Sequence, residues 1–302
     1  INLNKDIDAG YYTNGSAIIT DEFRGTLNGN GHKIYNLKIP FFNSMKNATI
    51  KHLIIDNVNI NTGSSQTGAL ANLADSSRIE DVHVNGKISG NTIVGGIIGL
   101  DKNCTLDSVS ADVNINVGSA KTGGLIGKKE SGGEIKNSYA LGTIVVSPPT
   151  THEKVGGLVG DMSNGNMVSS FSGVNIESKN SNKQVGGLLG STHIYGTSRN
   201  SISFGNVING LKLDGDKAYL NRHTNDYEYE EATGISVLDL QNKPAGINVA
   251  TKANKEDKSF YINTLKWDEN IWDLDGVSSG NYPTLKNNDP RGNKTYRNSD
   301  GK

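Results

Sequence analysis

Apolar residues recur along this chain in short alternating runs separated by Gly, Asn and Ser. Alternation with period two turns one side of each run toward an interior, which predicts strands. The runs themselves repeat. VGGIIG at 94–99 returns as TGGLIG at 122–127, VGGLVG at 155–160 and VGGLLG at 185–190, with a weaker copy, TGALAN, at 67–72. The first glycines of the copies, Gly68, Gly95, Gly123, Gly156 and Gly186, stand 27, 28, 33 and 30 residues apart. Gly96, Gly124, Gly157 and Gly187 follow directly in the four strong copies.

Two further elements ride on the same period. An aliphatic residue, two mostly polar ones and another buried type read Ile79-Glu-Asp-Val82, Leu106-Asp-Ser-Val109, Ile135-Lys-Asn-Ser138 and Val168-Ser-Ser-Phe171, with an earlier copy at Ile50-Lys-His-Leu53. A short alternating run follows at Val58-Asn-Ile60, Val113-Asn-Ile115 and Val174-Asn-Ile176. Three strand-like runs per unit of about 30 residues describe one coil of a solenoid. One coil cannot bury its apolar side. Stacked coils can, at about 4.8 Å per layer. The paired glycines are expected to supply positive φ and close backbone approach. A helical repeat is excluded, since Gly-Gly in every unit would cost roughly 2 kcal/mol per helix relative to Ala.

The predicted fold is therefore all-β, a parallel β-helix (β-solenoid) of about six coils with a small mixed C-terminal cap. Right-handed winding is expected from the general preference of parallel crossovers. Residues 1–23 lack the repeat and read as an N-terminal strand and cap; 24–210 hold the solenoid; 211–286 form a capping region; 287–302 are a polar linker. Short helices are expected within Val237 to Asn242 and Lys258 to Trp267, and a closing strand at Asn281 to Leu285. The start, INLNKDIDAG, has no methionine and reads as a piece cut from a longer protein.

Composition fits thin stacked layers better than a bulky core: 34% hydrophobic, 6% aromatic and 37 glycines. A net charge of −1 gives no footprint for nucleic acid. No apolar run is long enough to span a membrane, and no signal peptide is visible. The single cysteine, Cys104, excludes an intrachain disulfide.

The VGGLVG-type element, with NGNGHKIYNL before it and WDENIWDLDG and NYPTL after it, resembles the GLUG repeat family. It looks most like the GLUG-bearing N-terminal region of the zinc metallopeptidases called immunoglobulin A proteases, over roughly residues 24–285. The YEYEEATGIS and WDENIW segments strengthen that likeness. The resemblance implies a non-catalytic module of a secreted, cell-wall-associated bacterial protein that shapes or helps recognise an immunoglobulin substrate. It implies host immunoglobulin A or another host surface protein as partner, together with the catalytic domain of the same parent chain. Zinc is then expected only in that catalytic domain, and no cofactor in this chain.

Two other classes stay open at this point. One is an adhesion module binding host protein or glycan. The other is a carbohydrate-active β-helix enzyme, which needs paired carboxylates on adjacent coils; Glu80, Asp81, Asp107 and Glu134 are near one another but not matched in register. A zincin site would need a second His four residues after the first; His152-Glu153-Lys154-Val155-Gly156 lacks it. Asp214-Gly-Asp216 and Asp273-Leu-Asp275 are short candidates for calcium and read more simply as turns. Cys104 reads as a buried neutral thiol. Tyr219, Tyr227 and Tyr229, with Glu228, Glu230 and Glu231, are the candidate partner-binding patch, since Tyr is enriched at interfaces.

Overall fold

Residues one repeat apart stand directly above one another in the computed structural model, which describes residues 1–118, 121–147, 153–178, 184–216, 220–239, 245–287 and 289. Leu27, Ile50, Ile79, Leu106, Ile135 and Met167 form one inward column, continued by Ser198 and His223. A second inward column runs Ile60, Ile88, Ile115, Ile144, Ile176 and Val207. Among the described residues the pairing is parallel, apart from one short antiparallel ribbon, Trp272–Asp273 with Thr284–Leu285. The fold is the expected parallel β-solenoid. The first column links eight rungs, so the chain makes about seven turns rather than six.

Stacking extends beyond the 24–210 span marked by the repeat. Ile7 and Ile19, in the stretch expected to be a cap, pair with Ile34 and Phe42 of the next rung. Past residue 210, His223–Thr224 pairs with Ser198 and Arg199, and Asp226–Tyr229 pairs with Ile247–Ala250. These segments carry no glycine pair. They stack because backbone pairing requires alternation and length, not the repeat motif.

The glycine motif forms its own five-stranded sheet from Gln66–Gly68, Ile93–Gly95, Lys121–Gly123, Lys154–Gly156 and Gln184–Gly186, with the five first glycines in register. A Cβ on Gly96, Gly124 or Gly157 would fall well inside contact distance of the carbonyl oxygen of the second glycine one rung on; on Gly187 it would meet the carbonyl of Lys212. Close approach is thus the reason for these glycines. Positive φ is not: none of them has it. One set of left-handed positions is instead a column of polar residues, His52, Asp81, Ser108, Asn137, Ser169, Asn200 and Asn225, one per rung. Short polar side chains tolerate that conformation because they bond locally to the backbone. Here they also bond along the column, as between Asn225 Nδ2 and Asn200 Oδ1 at 2.8 Å.

The residue after each corner points inward, and in the C-terminal half it is polar. Ser138, Ser170 and Ser201 are buried. The Ser138 N–H donates to Ser170 Oγ and the Ser170 N–H to Ser201 Oγ, each at 3.2 Å, while the Ser201 N–H donates to Asp226 Oδ1 at 2.8 Å. Each hydroxyl in turn donates to the carbonyl two residues before it. The bend costs the ladder a backbone acceptor, and the hydroxyl replaces it; a buried amide left unpaired would cost about 1–3 kcal/mol. Cys104 belongs to a second such corner, accepting the Ser77 N–H at 3.4 Å. Its thiol is buried and pushed upward in pKa, first by burial and then by Asp101, so it is neutral.

The C-terminal segment lies on the side of the solenoid rather than over its open end. Tyr139, Phe171, Ile202 and Tyr227 form an outward row on successive rungs. Residues 260–285 cover that row with Phe260, Tyr261, Leu265, Trp267, Trp272 and Leu285, giving a second hydrophobic core. Trp267 and Trp272 stack at 4.3 Å, and Phe171 lies 5.8 Å from Trp272. Trp267 Nε1 donates to the Asn200 carbonyl at 2.8 Å, and Asn225 Nδ2 donates to the Thr264 carbonyl at 2.7 Å. Expected short helical turns are present at Val237–Asp239 and Phe260–Thr264, and Thr284–Leu285 is the closing strand. This segment packs laterally because the aromatic row needs covering; the last rungs keep Val207, Leu211, Leu213 and Ile247 buried in the main core.

The glycine column yields a direct test. Gly124→Ala forces a methyl against the backbone of the next rung and is expected to lower stability by about 3 kcal/mol, at the upper end of overpacking costs. Gly63→Ala, where an added Cβ meets nothing within 4 Å, should change it by less than ~0.5 kcal/mol. Urea denaturation midpoints of the two variants check this.

Candidate functional site

The outward face that carries the aromatic row changes character along the axis. Its strands are Thr49–Asn61, Arg78–Gly90, Ser110–Val117 and Tyr139–Val146. In register with Tyr139 on the earlier rungs are Ser110, His83 and Ile54; in register with Leu141 are Asp112 and Asn85. The aromatic half lies under the C-terminal segment, and the polar half is open.

That open half is a groove of about 510 Å³ walled at one end by Tyr139 and Asp289 and lined by Lys38, Asn57, Asn59, Asn85, Lys87, Asp112 and Asn114. Tyr139 OH donates to Asp289 Oδ2 at 2.7 Å, tying the end wall to the solenoid. Beneath the surface the groove is braced. His83 Nδ1 lies 2.8 Å from Ser110 Oγ and its Nε2 3.0 Å from Asp81 Oδ1, while Asp81 Oδ2 is 2.7 Å from His52 Nδ1. Asp56 accepts from Lys33 Nζ at 2.9 Å and from Asn85 Nδ2 at 2.6 Å. Burial pushes its carboxyl up, but those two partners outweigh it and hold the pKa below the usual value.

The structure separates most of the residues singled out from sequence. Tyr219 lies outside the described residues. Of the remaining partner-patch candidates, Tyr229 and Glu228 are buried, and Tyr227 is half-buried against Phe260 at 5.1 Å. Tyr229 OH donates to Glu231 Oε2 at 2.5 Å. Only Glu230 and Glu231 are exposed, so the expected aromatic patch does not form; the tyrosines are the floor of the second core. Alternation alone could not tell an outward aromatic covered by a later segment from one left open.

Glu80 and Asp107 are in register on adjacent rungs, contrary to the sequence reading, but their column runs Lys51, Glu80, Asp107, Lys136. Arg78 Nε is 2.9 Å from Glu80, and Lys136 Nζ is 3.2 Å from Asp107. Glu134 is in register with Asn166, and Asp81 sits buried between two histidines. Glu80, Asp107 and Asp81 thus each have a basic side chain beside them. His152 lies outside the described residues; Glu153 is buried and accepts from Ser178 Oγ at 3.2 Å.

Asp214 and Asp216, considered for calcium, already accept from protein donors: Asp214 from Thr192 Oγ1 at 2.6 Å, Asp216 from Gln184 Nε2 at 2.8 Å and Ser191 Oγ at 3.1 Å. Asp273 Oδ1 accepts the Asp275 N–H at 3.1 Å, a turn. Among the described residues, no three His, Cys, Asp or Glu side chains come together as a metal site.

A buried polar cluster that sequence reasoning missed lies within the last rungs of the solenoid. His223 occupies the column that holds Ile and Leu in earlier rungs, with Nδ1 2.7 Å from Asp226 Oδ2 and Nε2 3.0 Å from Asp214 Oδ2. Burial alone would lower its pKa, but the hydrogen bonds to Asp214 and Asp226 overcome this and raise it to about 9. Two rungs of register were needed to see that residues 214, 223 and 226 converge.

Fold and site together define a laterally buttressed parallel β-solenoid with an open polar groove. Residues 2–86 match the family model of the M26 IgA1-specific metallo-endopeptidase N-terminal region. The chain is 28% identical over 283 residues to an immunoglobulin A1 protease of Streptococcus sanguinis, covering 88% of this chain and 15% of the relative. It is 30% identical over 274 residues to that of Streptococcus pneumoniae strain R6, covering 83% of this chain and 12% of the relative. A solved IgA1 protease superposes with a TM-score of 0.71 at 23% identity, over 88% of this chain and 23% of that one. Over most of its length this chain is similar to streptococcal immunoglobulin A1 proteases, and over residues 2–86 to the N-terminal region of that family, as the repeat and its flanks implied. It spans less than one-sixth of the length of those two streptococcal relatives. No described helix is long and apolar enough to cross a membrane.

The His223 cluster predicts a pH response. The folded pKa of about 9 lies above the ordinary 6.5, so the stabilisation is complete below pH 6.5 and is lost as pH rises through about 9. Burial raises Asp226 as well; a raised folded pKa likewise loses stability as pH rises, from the ordinary carboxylate range upward, so it acts in the same direction as the imidazole and does not offset the loss. Amide exchange around 198–203 and 223–229, corrected for intrinsic rate, should quicken between pH 7 and about 9.5 relative to the earlier rungs. His223→Gln should abolish that difference.

Proposed function

We propose that this chain is a non-catalytic module of a secreted, cell-wall-associated, immunoglobulin A protease-like zinc metalloprotease, and that it shapes or helps recognise the immunoglobulin substrate. The observation that carries this reading is the relationship over most of the chain to proteins named immunoglobulin A1 proteases, of which it matches only a minor share. The rest of such a protein has ample room for a separate metallopeptidase domain, and the zinc would belong there. A rigid stack of rungs suits a part that holds a large substrate at a fixed distance and orientation from a remote catalytic centre.

The test is binding of the whole 302-residue chain to immunoglobulin A1, with immunoglobulin G as comparator, by surface plasmon resonance. A Kd of about 10 μM or tighter for immunoglobulin A1 alone, near −7 kcal/mol, is expected. Equal or absent binding to both would overturn substrate recognition and favour an adhesion module unconnected with proteolysis.

A further inference from the structure

We propose that the open groove is a binding site for a neutral oligosaccharide laid along the solenoid axis. The inference does not depend on the immunoglobulin reading. It rests on what the groove offers and what it lacks.

Asn59, Lys87 and Asn114 are in register on three successive rungs, all outward and exposed. Rungs are spaced about 4.8 Å, close to the length of one pyranose ring in a chain. The side chains of Lys38, Asn59, Lys87 and Asp112 line the groove and make no hydrogen bond or ion pair among the described residues. Asn114 uses only its Oδ1, which accepts from Thr143 Oγ1 at 2.8 Å, so its amide donors face outward. The groove therefore presents ammonium and amide donors beside carboxylate and amide acceptors, repeated at the pitch of the rungs. Sugar hydroxyls both donate and accept, and a charged partner strengthens each bond.

The alternatives fit less well. None of the large exposed apolar side chains lines the groove, so a peptide would find no anchor for an apolar residue. Two lysines face two aspartates, Asp112 and Asp289, so an anionic chain gains no net attraction. The supporting layer is fixed: Asn85 and Lys33 both donate to Asp56, and His83 is held between Ser110 and Asp81. The exposed groups above it thus start from a braced backbone, which limits the ordering cost of binding.

The experiment screens the whole chain on an array of neutral and acidic oligosaccharides with an unglycosylated peptide set beside them, followed by titration of the strongest neutral trisaccharide. A Kd of about 0.1–1 mM is expected, with backbone amide shifts in the NMR spectrum centred on Asn59, Lys87 and Asn114. Lys87→Ala and Asp112→Ala, both at exposed positions, should each weaken binding about tenfold, with thermal midpoints unchanged. Glu269→Ala, outside the groove, should have no effect. Absence of any neutral binder, preference for acidic glycans or for the peptides, or shifts that map elsewhere, would each overturn the proposal. The shift map of the unsubstituted chain keeps the test valid if a variant misfolds. Immunoglobulin A1 binding that fails while trisaccharide binding persists removes the proposed function and leaves this site; the converse removes this site alone.

Discussion

Each rung of the solenoid must accept and donate the backbone hydrogen bonds of the rungs on either side, and this register governs the rest of the molecule. Where the glycine sheet turns, successive backbones come so close that a Cβ would strike the next carbonyl, at Gly96, Gly124, Gly157 and Gly187 alike. Where the chain bends at the polar corner, the ladder is interrupted instead. There Ser138, Ser170 and Ser201 supply the missing acceptor from a side chain. Both devices answer one demand, that no buried backbone group be left unpaired.

The same demand explains how charge and polarity enter the interior. Lys129 and Asp101 sit fully buried on adjacent rungs, 2.8 Å apart, and Lys129 Nζ also donates to the Cys104 carbonyl at 3.1 Å. Desolvation makes such a pair a doubtful source of stability, but it fixes one register, since a slip of one rung would strand both charges. At the C-terminal end the inward column exchanges Met167 for Ser198 and His223. A bonded polar cluster there shares the interior with the buried aliphatics Val207, Leu211, Leu213 and Ile247. The segment from Phe260 to Leu285 covers the side of the stack.

The division of the outer face follows from that placement. Tyr139, Phe171, Ile202 and Tyr227 are removed from solvent by Trp267, Trp272 and their neighbours. The polar rungs before them stay open, and the boundary at Tyr139 and Asp289 becomes a wall. A recognition surface thus arises from the edge of a hydrophobic interaction. Its floor is held by hydrogen bonds between rungs, so it is shaped before any partner arrives.

Alternation and period, both local properties, made the solenoid legible in the sequence. The glycine column, the inward aliphatics and the corner Ile79-Glu-Asp-Val82 all stand where the repeat put them, because a residue's place in its rung depends on its neighbours in the chain. The family likeness was legible for the same reason. Which outward residues are covered was not. Tyr227 and Tyr229 read as a surface patch until Phe260, some thirty residues later, was seen to fold back over them. The convergence of Asp214, His223 and Asp226, and the groove between Lys38 and Asp112, likewise join residues that no short-range pattern connects. Those contacts are set by the stacking of rungs and by where the last segment comes to rest, and only the tertiary structure decides either.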